Sequence, residues 1–238
     1  MRGAYYCYGA IGNSVRTGNF VISKPPAAPP MLTIRKVYQD DALIVLDKPS
    51  GMLAVPGRGP ELQDCLSARV QADWPTASIV HRLDRDTSGL IVMALDADVH
   101  RELSRQFAAR EVGKVYRAVV FGLPAANEGL VDLPLRKDFD RPPRHMVDPA
   151  LGRPAQTRWR VVERCTDRTL LEVEPITGRS HQIRIHLASL EHPILGDPLY
   201  AHEQALAMAD RLMLHAEQLT LTHPHTGRRM TWQAKCDF

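Results

Sequence analysis

No apolar run in this chain is long enough to cross a bilayer. The longest, Leu90 to Leu95, is far shorter than the ~20 residues a membrane helix needs. The first twenty residues carry no continuous apolar core behind Arg2, so no secretory pattern is present. Cysteine is scarce and scattered: Cys7, Cys65, Cys165 and Cys236 form no C-x-x-C pair. That spacing excludes a disulfide framework or a cysteine zinc site, and it fits free thiols in a reducing cytoplasm. The histidine pairs His181/His186 and His223/His225 miss the i, i+4 spacing of a helical metal site, so no metal is expected. Net charge is only +3, too little to announce a polyanionic partner by itself.

The distribution of charge says more. Arg101, Arg105, Arg110, Lys114 and Arg117 stand against two acidic residues. Between Arg136 and Arg160, seven basic residues face Asp138, Asp140 and Asp148. Basic stripes on a nearly neutral chain suit a nucleic acid held along one groove. Residues 1–30 differ from the rest: they hold half of the six tyrosines, no acidic residue, and end in Pro29-Pro30 after Pro25-Pro26. Such a proline-rich end joins neither a helix nor a central strand. A loosely packed extension is expected there, with Met31 as a candidate start and one folded domain over 31–238.

In that domain, strands are predicted at Thr33–Tyr38 and Ala42–Asp47 around an Asp40-Asp41 turn, and at Gly89–Leu95, Lys114–Phe121, Arg158–Cys165, Thr169–Pro175, Gln218–Thr222 and Arg229–Gln233. Helices are predicted over Leu62–Trp74, after an Asp96 or Asp98 cap with Val99, Leu103 and Phe107 inward, and after Ser180 with Ile183, Leu187 and Leu190 inward. Adjacent strands with few helices argue for an α+β fold with a largely antiparallel sheet.

Three polar segments stand out. His81-Arg82-Leu83-Asp84 with Thr87-Ser88-Gly89 forms a charged loop between apolar runs. Lys114-Val115-Tyr116 opens a strand. Gly178-Arg179-Ser180-His181-Gln182-Ile183-Arg184 precedes His192-Pro193-Ile194-Leu195-Gly196-Asp197. In this order, with Asp47-Lys48-Pro49-Ser50-Gly51, Gly152-Arg153-Pro154 and Leu212-Met213-Leu214-His215-Ala216, they resemble the RluA family of RNA pseudouridine synthases from about Val37 onward. Within that family, Val55-Pro56-Gly57-Arg58 and the Arg141–Arg144 loop look most like the member that acts on both large-subunit rRNA and tRNA.

The resemblance implies a reaction that breaks uridine's N1–C1′ bond, turns the uracil and rejoins it through C5. Nothing is oxidised and no group is imported, so no cofactor is expected. The resemblance makes Asp84 the carboxylate at the ribose C1′/C2′ edge, with Asp86 as a loop-ordering competitor. An aspartate is already ionised at neutral pH. Arg184 would pair with Asp84 more closely than Arg179 does, and Tyr116 would stack on the base. Arg82 would fill the place of the flipped nucleotide. His81 and Thr87 are expected to order the loop, with Ser88 bonding within it; Arg179 and His181 complete the substrate-binding set. The partner is RNA, rRNA and tRNA stem-loops, without membrane or metal, and the chain is expected to act as a cytoplasmic monomer. Glu191 departs from the family, which commonly has glycine before the residue matching His192. Thirty proline-ending residues leave no room for an extra RNA-binding domain, so substrate choice is expected to lie in the catalytic domain.

Overall fold

Continuous apolar runs build strands that are buried on both faces. The computed structural model describes residues 32–238; the Pro-ending extension and Met31 lie outside the described residues. Strands β1 (Arg35–Gln39) and β2 (Leu43–Lys48) form a hairpin. Its turn is held by the Asp40 carboxylate, which accepts from the amides of Ala42 (2.9 Å) and Leu43 (3.0 Å). Helix α1 (Leu66–Asp73) and the short β3 (Ser78–Ile79) follow, then β4 (Ser88–Ala94), every residue of which is buried. Leu43 and Val45 pack with Leu90 and Val92 on one face of the β2–β4 pair, and Ile44 and Leu46 with Ile91 and Met93 on the other.

Helix α2 (Ala97–Ala108) takes Asp96 as its cap, bonded to the amides of Asp98 and Val99, and buries Val99 and Leu103. The second half of the sheet comes from β5 (Gly113–Phe121), β6 (Glu128–Asp132), β9 (Gln156–Arg164) and β10 (Arg168–Pro175). Between them, β7 (Leu135–Lys137) and β8 (His145–Val147) make a separate two-stranded hairpin. Helices α3 (Gln182–Ser189) and α4 (Glu203–Ala207) lead to β11 (Leu214–Thr222) and β12 (Arg229–Gln233).

The ten-stranded sheet runs β1-β2-β4-β11-β5-β10-β9-β6, with β3 beside β4 and β12 beside β11. All its pairings are antiparallel except β4 with β11, which meet in parallel at Ser88–His215 and Gly89–Ala216. Beyond those residues the two strands part, β4 toward β3 and β11 toward β12. Gly89, at φ +109°, is required here: a Cβ would collide with the backbone of Ala216. Ser88 therefore bonds across the junction, to His215 Nδ1 at 2.9 Å, and not within its own loop as expected.

The observed strands match the predicted ones within a few residues; β3, β6, β7, β8 and α4 were not predicted. Two helix starts also differ. Helix α1 begins at Leu66, capped by Cys65, because Pro60–Leu62 closes a separate 3-10 turn. Helix α3 is not capped by Ser180; it starts after His181, whose backbone is left-handed at φ 55°. Much of the expected basic striping is neutralised. Arg101 pairs with Asp98, and Arg105 with Glu102 and Glu111. Across neighbouring strands runs Glu217–Arg117–Glu172–Arg160, at 2.7, 3.3 and 2.6 Å. Opposite charges facing each other on adjacent strands satisfy one another, so these arginines are not free cations.

Candidate active site

The loop before β4 sits where β4 and β11 diverge, and it is fastened from below. Lys48 is fully buried, and its ammonium donates to the carbonyls of Pro49 (3.0 Å), Met52 (2.9 Å) and Arg85 (2.9 Å). Burial lowers its pKa to about 8 against the nearby charges of Asp86, Asp84 and Asp47. The Ser50 hydroxyl donates to the Asp86 carbonyl at 2.7 Å, and Arg85 Nε to the Gly51 carbonyl at 3.1 Å. The Asp47–Gly51 turn thus grips residues 85 and 86 and leaves the carboxylate of Asp84 directed elsewhere.

That carboxylate borders a cavity of about 350 Å³, also lined by His81, Arg82, Thr87, Tyr116, Arg179, His181 and Arg184. All eight residues singled out in the sequence therefore meet in one place. Asp86 borders a different depression, beside Ser50 and Asp210. Arg184 lies on α3 with its guanidinium buried. Nε and Nη2 donate to Asp197 at 2.8 and 2.7 Å, and Nη1 donates to Asp84 Oδ2 at 3.2 Å. Asp197, only 1% exposed, is itself fixed by the amides of Leu199 and Tyr200. Arg184 therefore bridges one structural and one half-buried carboxylate, a charge-assisted arrangement that fixes both rotamers.

His81 accepts from the Val92 amide through Nε2 at 3.1 Å and stacks on Phe107, its ring centroid 4.5 Å away. It takes the β4 amide that β11 no longer reaches, which is how the sheet opens without an unpaired donor. Burial, with Lys114 nearby, lowers its pKa to about 3, so it is neutral and structural. Thr87 closes the loop, its amide donating to the Asp84 carbonyl at 3.2 Å. Burial first, and then the charge of Asp84, raise the Tyr116 phenol above its ordinary value, so Tyr116 keeps its proton. Arg179 Nε donates to the Pro154 carbonyl at 3.1 Å. Arg82 is exposed and makes no ion pair among the described residues.

Four residues absent from the predicted set complete the site: Lys48, Asp197, Tyr200 and His145. The Tyr200 hydroxyl accepts from the His145 amide at 2.9 Å and meets His181 Nδ1 at 2.7 Å. The guanidiniums of Arg184 and Arg144 lie over its ring, at 5.1 and 5.2 Å. Asp197 and Tyr200 stand in one Asp-Pro-Leu-Tyr turn, and that short run was the available signal. The remaining histidines are engaged elsewhere: His186 with Thr157 and the Leu133 carbonyl, His223 with Asp40.

An aspartate paired with a buried guanidinium, with a neutral phenol in the same cavity, at the opening of a mixed sheet define a class of enzyme. Residues 42–189 match the family described as RNA pseudouridylate synthase. The chain belongs to that family and is an RNA pseudouridine synthase, an isomerase acting on uridine in RNA. It is 53% identical over 214 residues to the dual-specificity RNA pseudouridine synthase RluA of Escherichia coli, covering 90% of this chain and 97% of that one. Identity to the protein of the same name from Haemophilus influenzae is 46% over 219 residues, covering 92% and 99%. Among solved structures it is similar to human RNA pseudouridylate synthase domain containing 4, at TM-score 0.69 and 27% identity over 84% of this chain and 88% of that one.

Proposed function

We propose that this chain is a dual-specificity enzyme that isomerises uridines in large-subunit rRNA and in a tRNA anticodon stem-loop. The observation that carries the chemistry is the contact of Asp84 with Arg184 at 3.2 Å inside the cavity that Tyr116 also lines. The dual specificity is supported by the 53% identity to an enzyme of that name over 97% of its length.

In this reading the target nucleotide leaves its stack and enters the cavity, with Arg82 in the vacated position. Asp84, held by Arg184, works at the ribose C1′/C2′ edge as the N1–C1′ bond breaks. The freed uracil turns against the ring of Tyr116, and its C5 joins C1′. The C5 proton leaves and N1 gains one, so atoms and electrons balance within the nucleotide. Tyr116 enters protonated, as a stacking surface and hydroxyl donor. Arg82, Arg110, Lys114, Lys137, Arg144, Arg153 and Arg179 carry no ion pair among the described residues and are offered as the phosphate-binding set. His81, Thr87 and His181 complete the binding site by shaping its wall. The enzyme is proposed to act as a monomer in the cytoplasm, where both RNAs are found. The folded catalytic unit is residues 31–238, with 1–30 as an extension.

The test is pseudouridine mapping across rRNA and tRNA in cells lacking the gene, complemented with wild type or Asp84→Ala. Loss of one large-subunit rRNA site and one anticodon-loop site, restored only by wild type, is expected. Loss confined to other rRNA uridines would replace the dual assignment, and unchanged maps would remove it.

A further inference from the structure

Arg184 and His181 both address the same oxygen of Asp84. Arg184 Nη1 lies 3.2 Å from Oδ2, and His181 Nε2 lies 3.8 Å from it. Among the described residues no hydrogen bond reaches Oδ1. We propose that Tyr200 and His181 form a positioning pair that holds Asp84 by Oδ2 and leaves Oδ1 as the oxygen that meets the sugar. This rests on the pseudouridine synthase reading of the site and adds two residues and an orientation to it.

The hydrogen-bond inventory fixes the direction of the pair. Tyr200 Oη already accepts the His145 amide proton, so its own proton is free to go to His181 Nδ1. The reverse arrangement would leave the buried phenol proton with no acceptor among the described residues. Burial raises the pKa of Tyr200, which secures that proton. With Nδ1 accepting, the neutral ring carries its hydrogen on Nε2, facing Asp84. A separation of 3.8 Å is loose for a hydrogen bond, and such contacts commonly tighten when substrate binds.

The backbone supports a functional placement. His181 is held at φ 55°, a left-handed region that a non-glycine residue adopts only at a cost. That turn brings its ring back from the start of α3 toward the cavity. Strain of this kind collects at functional positions. The groups facing His181 are Asp84 from the loop, Arg184 from its own helix, His145 from β8, and Asp197 and Tyr200 from the following turn. Burial dominates among them and lowers the His181 pKa, so the ring is neutral at neutral pH. Protonation at lower pH would place a hydrogen on Nδ1, in conflict with the Tyr200 hydroxyl, and draw Asp84 into an ion pair away from the sugar.

Two readouts test the pair. In the free full-length enzyme, ¹⁵N chemical shifts of His181 should report the Nε2–H tautomer at pH 7.5; an Nδ1–H tautomer or an imidazolium overturns the proposal. The second readout is single-turnover pH profiles on a uridine-containing stem-loop that wild type modifies. Wild type should show an acid limb, lying below the ordinary imidazole range because burial lowers the His181 pKa. His181→Gln, which keeps a donor but cannot titrate, should lose the limb and stay within about tenfold of the wild-type plateau. His181→Ala should fall by on the order of 10²-fold, and Tyr200→Phe should shift the acid limb upward. A His181→Ala rate equal to wild type, or an unmoved limb in Tyr200→Phe, overturns the proposal. If wild type made no pseudouridine, the functional reading would fail, while the tautomer measurement would still decide this inference.

Discussion

Asp197 holds two of the three donor nitrogens of Arg184, and Asp84 receives only the third. The carboxylate proposed for catalysis is therefore the lesser partner of its own arginine. Removing Asp197 strands a buried cation, whereas removing Asp84 does not. Asp197→Ala should cost about 3–5 kcal/mol in urea unfolding, and Asp84→Ala less than about 1 kcal/mol. Equal losses from the two variants would refute this division.

Asp84→Asn should abolish pseudouridine formation and keep RNA affinity, because phosphate contacts supply most of the binding. Filter binding at rising salt should show the same steep loss of affinity for variant and wild type. A flat response in wild type would remove the unpaired arginines as the RNA surface.

Lys48→Met should leave three carbonyls without a donor, those of Pro49, Met52 and Arg85. Unsatisfied buried acceptors cost about 1–3 kcal/mol each, less where the loop relaxes or water enters. A net loss of about 2–4 kcal/mol is expected, with turnover falling more than RNA binding because the Asp84 loop loses its anchor. Calorimetry and single-turnover assays check the two parts.

Burial alone would raise the Asp40 carboxyl. The Tyr38 hydroxyl, the amides of Leu43 and Ala42, and His223 outweigh it and lower the pKa from 3.8 to about 2. A carboxylate lowered by folding adds stability that is complete above the unfolded value and lost as pH falls through the folded one. Between pH 5 and pH 2, wild type should lose about 1–2 kcal/mol more than Asp40→Asn, after allowance for solvent screening. Parallel curves from denaturant titrations would contradict it.

Glu191 ends α3 at φ 66°, a left-handed position that glycine occupies without strain. Glu191→Gly should raise stability by about 0.5–1 kcal/mol and leave turnover unchanged. A lower melting temperature would count against it.

How far the sequence could be read depended on where a residue's partners lie. Strands β2 and β4 were visible because Leu43–Leu46 and Leu90–Ala94 are uninterrupted apolar runs. Asp84, Tyr116 and Arg184 were accessible because each stands in a short recognisable motif. The roles of Lys48, Tyr200 and His145 were not, although Lys48 and Tyr200 stand in short runs of their own, because those roles come from contacts between segments far apart in the chain: Lys48 with Arg85, His145 with Tyr200. The basic stripes pointed to a nucleic acid but not to which of their arginines are free, for the same reason. The neutralising partners of Arg117, Glu172 and Glu217, lie on other strands, and no linear charge count reveals them. The 78–79 and 145–147 strands are too short to carry a period, and the left-handed start of α3 at His181 has no sequence marker comparable to a glycine.

The two-residue parallel seam between β4 and β11 joins segments separated by more than a hundred positions, as the Ser88–His215 bond records. Contacts of such long range are slow to form, because a large loop must close before anything is gained. A growing polypeptide on the ribosome already displays Asp84 well before β11 emerges to support its loop. Catalytic competence thus arrives only once β11 has been made, and a truncated product lacking β11 and β12 would still carry the segments of Asp84, Tyr116 and Arg184 yet modify no RNA.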